Sequence, residues 1–600
     1  MKSDCSIEEL GAAYLADPLR TAPSEFPWSE CQTEKVLLIL QKNKVPLVAL
    51  AGPEGAEGLV HHPLFEDARV REAQSLELQR REYRLVRDSL LQDGIEGVLI
   101  KSVGLRPAFP YRSDNLDVLY HPQDVPLIRR RLQSLGYVEL KNVEEPHKYL
   151  FRKFHMGRSI SAIHLHAHVG WMVSFLDEEA LWKRVRRLPD DDLVLLPGIE
   201  DALATALAHY FYEDKLVVLQ DVHKLAHCVR QGVDWDEVYR IAIFRGWRDG
   251  LNTSLLLCTY QEQALYGESS TPQALLERAR SELPGWIKSR LDRQLGEGAL
   301  MGLCQGEQWT GKDWRRDLPL RIPFVFSKYF FYAKLVRDPS RAPVQKIKDV
   351  AVHTGNGTKL RLRIHSQPNM LVTLSGVDGC GKTTHARALT TAFETCHLRA
   401  DYVWTRAGSA RWLSALTRLL GGHRKAAATQ PAEKVELRRQ RFQSPLLRWG
   451  WSWLTTLELV SEYACRVAWP LIRGHVVICD RYVYDAWVDL AANSGRPAEG
   501  TLPARVLGWL SPRPALSYWL DVPAEAAHTR AQDALSEEFM AAQAAAYQRV
   551  AQAHRLRRVD TQREVAENND ALVFEVLSTY FARYWTLVNQ LFLKNPGQWK

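Results

Sequence analysis

Cysteine is sparse and unpatterned in this 600-residue chain: there are nine, an odd number, widely scattered, with no C-x-x-C pair. That argues against a disulfide framework and a Cys-rich zinc site, and a reducing, cytoplasmic compartment is expected. Long apolar runs are missing too. No stretch of about 18 uncharged apolar residues exists, so no transmembrane helix is expected. The opening MKSDCSIEELGAAYLADPLR carries early acids and no apolar core, so no secretory signal is expected. The nearest membrane candidate, Trp449 to Ile472, is interrupted by Glu458, Glu462 and Arg466 at four-residue spacing, which puts the charges on one helix face. It reads as an amphipathic helix packed on the core, with peripheral membrane contact as the other reading. Internal repeats and low-complexity tracts are absent. Charge of one sign is scarce: 78 Lys and Arg against 70 Asp and Glu leave +8, too mild to specify a nucleic-acid partner. With 46% apolar and 25% charged residues the composition is that of a folded globular chain, which excludes a mainly disordered, collagen-like or coiled-coil protein.

Three regions differ in texture. From about Asp67 to Leu91 the chain reads as a charged amphipathic helix. Strand-like segments follow at Gly97 to Lys101, Leu116 to Tyr120, Tyr137 to Leu140 and Ser161 to Val169, with a helical stretch from Gln123 to Leu135 among them. Residues 1–188 are therefore expected to form an α/β unit. Residues 189–345 carry helical periodicity almost throughout. Residues 346–369 are rich in Gly, Asn and Thr with few large side chains and read as a linker. Residues 370–600 alternate short apolar strands with helices, the pattern of a parallel sheet flanked by helices. The fold class expected is α/β, with a helical middle region.

The sharpest local signal is Gly376-Val-Asp-Gly-Cys-Gly-Lys-Thr-Thr384, which fits G-x-x-x-x-G-K-[ST]. An apolar run, Met370 to Ser375, precedes it, and a helical stretch, Thr384 to Cys396, follows. Strand, glycine loop, helix is the order a P-loop requires, because the glycines let backbone N–H groups turn inward around phosphate oxygens at a helix N-terminus. In such a loop Lys382 reaches the β- and γ-phosphates and the Thr383 hydroxyl ligates Mg²⁺. Downstream, Gly474 to Cys479 reads as a buried strand with Asp480-Arg481-Tyr482 at its carboxyl end, the edge where open parallel sheets gather ligands. There Asp480 can hold the magnesium or its water, and Arg481 can offset charge on a phosphoryl group in flight.

GVDGCGKTT and DRY, followed by Leu520-Asp521-Val522-Pro523 after a third strand, resemble the thymidylate kinase family of P-loop nucleoside monophosphate kinases, over roughly Met370 to Phe581. The resemblance implies a parallel five-stranded sheet with ATP and Mg²⁺ as cofactors. Gly376, Asp378, Gly379, Cys380, Gly381, Lys382, Thr383 and Thr384 would cradle the nucleotide, with Thr383 and Asp480 at the metal. Lys382, Asp480, Arg481 and Arg406 would carry the transfer. Arg406, ending Asp401-Tyr-Val-Trp-Thr-Arg406, corresponds to an arginine that meets the acceptor phosphate, and Asp378 to a carboxylate that approaches the acceptor sugar. Arg530 corresponds to an arginine opening the lid, and Asp560 ends a final strand. The chain departs from the family after Arg530, where no further Arg or Lys comes until Arg549, so the lid is poorer in arginine.

Between Arg406 and Arg448 there are ten Lys and Arg and two acids, Glu433 and Glu436, so this segment holds a net charge equal to that of the whole chain. It reads either as a solvated basic helix face or as the docking site of an anionic acceptor or an acidic membrane or polymer surface.

In the N-terminal region, Val98-Leu-Ile-Lys-Ser102 and Ser113-Asp-Asn-Leu-Asp-Val-Leu-Tyr120 resemble the start of a nucleotidyltransferase-like domain, whose strand presents alternate carboxylates to two magnesium ions. Alternation by two is what puts ligands on one face of a strand. Here Asn115 and Asp117 share a face and Asp114 points oppositely. The strand where a third acid is expected alternates Ile163, Leu165 and Ala167 with His164, His166 and His168. Three readings stay open: a degenerate domain, a working transferase using Asp114 and Asp117, and a borderline-metal site of the histidine row with Asp117. The helical companion, with His209, Asp221 and His223, is assigned no chemistry.

The leading expectation is an ATP-dependent phosphotransferase acting on a nucleotide or another small anionic or hydroxylated acceptor, with no specific nucleic-acid partner. The alternatives are an ATP-binding switch or slow ATPase working through a partner, and a bifunctional kinase and nucleotidyltransferase.

Overall fold

The structure is a computed structural model that describes residues 6–591 except 18–19, 51, 102–114, 141–148, 171–172, 189–190, 307–317, 363–366, 406–444, 495–496, 524 and 528–536. It is a mixed α/β protein with three sheets among the described residues. The N-terminal sheet contains β1 (Val98–Leu99), β2 (Leu116–Leu119), β3 (Val138–Leu140), β4 (Tyr149–His155), β5 (Arg158–His166), β6 (Arg186–Leu188) and β7 (Asp191–Leu196), in the order β3-β4-β5-β2-β1-β7-β6. β5 runs parallel to β2, and β7 parallel to β1, while the other neighbours are antiparallel. The Pro63–Leu91 helix covers this sheet with Tyr83, Val86 and Leu90, which share a core with Leu116, Val118, Phe151 and Leu165.

Residues 197–337 are mostly helical and enclose the largest apolar core, centred on the Arg248–Tyr266 helix, which is buried almost all round. Its buried polar positions find partners, Asn252 accepting from Tyr239 Oη at 2.7 Å and Thr259 bonding Thr271 at 2.9 Å, so the helix is enclosed by satisfied polar groups as well as apolar ones. Among the described residues a short antiparallel pair, β8 (Leu216–Val217) with β9 (Leu320–Arg321), interrupts the helices.

The C-terminal sheet is parallel throughout: β10 (Met370–Ser375), β11 (Ala400–Trp404), β12 (Val476–Asp480), β13 (Leu516–Asp521) and β14 (Arg557–Asp560), ordered β11-β12-β10-β13-β14. β10 and β12 are buried at every position, which is why they read as continuous apolar runs rather than alternating ones.

Two sequence expectations need correction. Most of 346–369, expected as a linker, is helix, Pro343–Arg361. Its Gly and Asn residues are weak helix formers, but Asp349, Val352, His353 and Asn356 are buried along one side and Asp349 pairs with Arg341, so tertiary contacts override the local preference. The Trp449–Ile472 segment is not packed on the core along its whole length. It forms a helix, Pro445–Tyr463, a π-helical turn, Ala464–Ala468, and a last turn, Trp469–Ile472. Leu459, Tyr463 and Val467 are buried together with Glu458, whereas Trp449, Trp451, Leu457 and Trp469 are exposed. No helix among the described residues is long and apolar enough to cross a membrane, and their eight cysteines are unbridged.

The N-terminal and C-terminal sheets are not independent bodies. Val138, Leu140 and Phe154 join one core with Met370, Leu389, Phe393 and Tyr580. At the β4–β5 turn, His155 Nδ1 lies 2.9 Å from Asp570 Oδ2, and the Met156 amide donates to Asp570 Oδ1 at 2.9 Å. Gly157 has φ +79°, and a Cβ there would sit 2.2 Å from the Ala388 carbonyl oxygen. Glycine is required on both counts. Gly157→Ala should therefore lower stability by about 3 kcal/mol, measured by chemical denaturation; an unchanged midpoint would refute the close approach.

Acid sensitivity follows from buried histidines. Burial pushes His209, His223 and His353 down to about 4 and His168 to about 3, from 6.5. Depressed histidines contribute stability that is complete above 6.5 and is lost as pH falls toward 4. Asp221, pushed up to about 6 by burial, and Glu178, Asp201 and Glu262, also raised by burial, work the other way, while burial lowers His227 and His385 as well, so the histidines dominate between pH 6.5 and 4.5. The melting temperature should fall steadily from pH 6.5 to 4.5, and less so in His223→Gln and His353→Gln variants.

Candidate functional site

The carboxyl ends of β10 and β12 lie side by side, with Leu374 paired to Asp480. β10 runs into the glycine loop, and the Lys382–Thr395 helix follows directly, its N-cap Gly381 offering no side-chain cap. The helix N-terminus thus keeps its amides and its partial positive charge for the loop. Gly376 is needed for space, because a Cβ would lie 2.7 Å from the Leu520 carbonyl oxygen and 2.8 Å from Cys380 Sγ. Gly381, at φ +92°, is needed for conformation.

Lys382 is nearly buried, and its ammonium donates to the Gly376 and Val377 carbonyls at 2.8 Å each. Thr383 Oγ1 donates to Asp480 Oδ2 at 2.6 Å, and Tyr402 Oη donates to the same oxygen at 2.9 Å. Burial and the neighbouring Asp480 push the Tyr402 phenol up to about 12, so it stays a donor. Asp480 is 1% exposed, and its other oxygen, Oδ1, has no hydrogen-bond partner among the described residues. A buried carboxylate oxygen left unpaired is costly. With the Thr383 hydroxyl beside it, this oxygen fits a hard, oxygen-preferring divalent cation such as Mg²⁺. Burial pushes the Cys380 thiol up against the opposing effect of Lys382, so Cys380 is a packing residue rather than a nucleophile.

Arg481 has φ +75°, rare for a residue with a side chain. The turn aims its guanidinium at Asp378, with which it pairs through Nη2, and its amide donates to Leu374 O at 3.0 Å. Held strain of this kind costs about 1–3 kcal/mol and clusters at functional sites. Arg481 also lines a small cavity with Thr405, Leu459, Tyr463, Tyr482 and Asp485.

The loop therefore brings together Gly376, Asp378, Gly379, Cys380, Gly381, Lys382, Thr383 and Thr384 with Asp480 and Arg481. Arg406, Arg530 and the basic positions Arg411 to Arg441 lie outside the described residues. Asp521 and Asp560 end β13 and β14, where Asp521 takes a 2.8 Å hydrogen bond from Arg558 and Asp560 accepts from the Gln562 amide. In the N-terminal sheet Asp117, His164 and His166 converge, His168 lies beyond the end of β5, and Asp114 is outside the described residues.

Sequence reasoning missed Asp485. It is 2% exposed and accepts from Ser375 Oγ (2.6 Å), the Tyr482 amide (2.8 Å) and Tyr547 Oη (2.7 Å), joining both strand ends. The only signal was an acid in the first turn of the helix after Asp480-Arg481-Tyr482.

A parallel sheet with a glycine loop and a paired Asp–Arg at its carboxyl edge defines a nucleotide kinase-like region. Over 209 residues the chain is 30% identical to the thymidylate kinase of Bordetella petrii, covering 33% of this chain and 89% of that protein. Through this region the chain belongs to the thymidylate kinase family. No family model matches the chain.

Asp485→Ala would strand four donors, the Ser375 and Tyr547 hydroxyls, the Tyr482 amide and the Gly376 amide at 3.5 Å, and should cost about 3 kcal/mol of stability. Tyr547→Phe, removing one donor, should cost about 1 kcal/mol. Equal midpoints for the two variants would show that Asp485 does not organise the site.

Proposed function

We propose that the chain is an ATP-dependent phosphotransferase whose C-terminal region passes the γ-phosphoryl group to a small acceptor, a nucleoside monophosphate being the first candidate. The observation that carries this reading is the placement of Lys382, Thr383, Asp480 and Arg481 around one glycine loop, with Asp480 Oδ1 buried and unpaired. Thr383 and Asp480 would hold Mg²⁺, which when bound offsets phosphate charge and orients the donor. Lys382 already points its ammonium at the loop carbonyls, and a short swing brings it to the β- and γ-phosphates. The amides at the helix N-terminus bind and orient the phosphate chain. Arg481 is held between the donor loop and the cavity lined by Thr405, Tyr463 and Tyr482, where it stabilises charge that develops during transfer. Asp378, paired with Arg481, fixes the guanidinium and faces the acceptor side. Arg406 and Arg530 are proposed as acceptor-phosphate and lid arginines.

A second reading, a nucleotide-gated switch, is supported by the β4–β5 turn packed against Ala388 of the helix that leaves the glycine loop. In that reading nucleotide binding alters the N-terminal sheet, and hydrolysis is slow.

The test is an acceptor screen with γ-labelled ATP, spanning nucleoside monophosphates and sugars. Lys382→Ala should abolish ATP–Mg²⁺ turnover in a folded protein. Arg481→Ala should lower kcat about 10³-fold while ATP affinity stays nearly constant. Arg481→Gly, which relieves the positive φ, should be as inactive as Arg481→Ala and more stable. Weakened ATP binding with an unchanged saturated rate in Arg481→Ala would favour the switch.

A further inference from the structure

The N-terminal sheet holds a second group of chemistry-bearing residues that the kinase reading does not use. β2 and β5 are parallel neighbours, with Asp117 opposite His164 and Leu119 opposite His166. Because strand side chains alternate, Asn115, Asp117, His164 and His166 project from one face. Asp117 Oδ1 lies 2.8 Å from His166 Nε2 and 3.2 Å from His164 Nδ1. The three ligand atoms lie within 4.8 Å of one another. The side chains of Asp117 and His166 are 2% and 4% exposed, and that of His164 is 16% exposed, so the group is dry behind and opens past His164.

The hydrogen bonds of this cluster turn on the orientation of one amide. His164 Nδ1 faces Asp117 Oδ1, an acceptor, and also the Asn115 amide nitrogen, a donor, at 2.7 Å. If Nδ1 carries a proton it opposes the amide N–H, and if it does not, its lone pair opposes the carboxylate. Turning the Asn115 amide, which is a matter of assignment, lets a protonated Nδ1 donate to two oxygens and leaves Asn115 Oδ1, a further possible ligand atom, beside His164. A cation among these groups would be met by lone pairs from two imidazoles, one carboxylate and one amide.

We infer that Asp117, His164 and His166, with Asn115 beside them, form a binding site for one divalent transition-metal ion of the imidazole-preferring class, with Zn²⁺ as the reference ion. Two nitrogen donors and one carboxylate are a borderline set that suits Zn²⁺, Co²⁺ or Fe²⁺. Mg²⁺ demands oxygen ligands in octahedral order, and among the described residues Asp117 is the one carboxylate in this cluster. Lys101 is the built-in competitor. Its ammonium lies 3.2 Å from Asp117 Oδ1 and 3.9 Å from Glu213 Oε2. Metal entry displaces Lys101 toward Glu213, so Lys101 sets the affinity by like-charge repulsion.

The test uses the untagged full-length chain, stripped with chelator and titrated with Zn²⁺, Mg²⁺ and Co²⁺. Zn²⁺ should bind at one ion per chain, at least about 100-fold more tightly than Mg²⁺. Co²⁺ should give a visible absorption band. His164→Ala and His166→Ala should each weaken Zn²⁺ binding by about 100-fold or more and remove the band, Asn115→Ala by about 10-fold, and ATP binding at the glycine loop should not change in any of them. Lys101→Met should tighten Zn²⁺ with the stoichiometry held at one ion per chain and the Co²⁺ band unchanged in position. Zn²⁺ binding no stronger than in the His164→Ala/His166→Ala double variant, or a Co²⁺ band indifferent to these substitutions, overturns the site.

Discussion

The side-by-side burial of β10 and β12 is the constraint on which the phosphate site depends. Both strands are enclosed on both faces and pair in parallel from Met370–Val476 to Leu374–Asp480. Fixing the register fixes the ends. Ser375 and Asp480 are delivered to the same edge, and Asp485 ties the edge together through Ser375, Tyr482 and Tyr547. The buried Asp480 carboxylate is tolerated because Thr383 and Tyr402 satisfy one oxygen. Its other oxygen is the part of the site that stability alone does not explain.

The same rigid edge reaches into the N-terminal sheet. The helix that begins at Lys382 carries Ala388 against Gly157, and His385 on that helix lies 2.6 Å from Asn569, whose amide contacts Met156 Sδ. β5, which presents His164 and His166, starts at this turn. The two candidate sites therefore sit on elements that meet at a close backbone contact, flanked by a shared core and the Arg152–Thr395 hydrogen bond. A change at one site is transmitted only if that contact has two arrangements.

Local signals carried the phosphate site. A glycine loop between an apolar run and a helix is legible because each part is contiguous in the chain and each residue type has a conformational reason. The Asp480-Arg481 pair was legible for the same reason, following a buried strand directly. Asp485 was not, since an acid in a helix's first turn is ordinary at surfaces, and only the fold buries it under Tyr547. The 346–369 span misled because Gly and Asn signal breaks locally, whereas Asp349 is held by Arg341 and Gln345 and His353 packs edge-on against Phe331 of the preceding helix. The Trp449–Ile472 helix was read from its charges, but burial follows the neighbours it meets, so Glu458 is enclosed and Trp449 and Trp451 are exposed.

The sequence by itself determined the absence of disulfide and zinc-finger patterns, the glycine loop with its lysine and threonine, and the alternation that puts Asn115 and Asp117 on one face and the histidines on another strand's face. All of these are properties of neighbours in the chain or of strand periodicity. Tertiary structure alone decided that β5 pairs with β2 in a register that sets Asp117 opposite His164, that His166 joins them while His168 lies beyond the strand, and that Lys101 reaches the same carboxylate. The physical reason is that strand register is chosen by the packing of a whole apolar face, and no window of the sequence contains both partners of that choice.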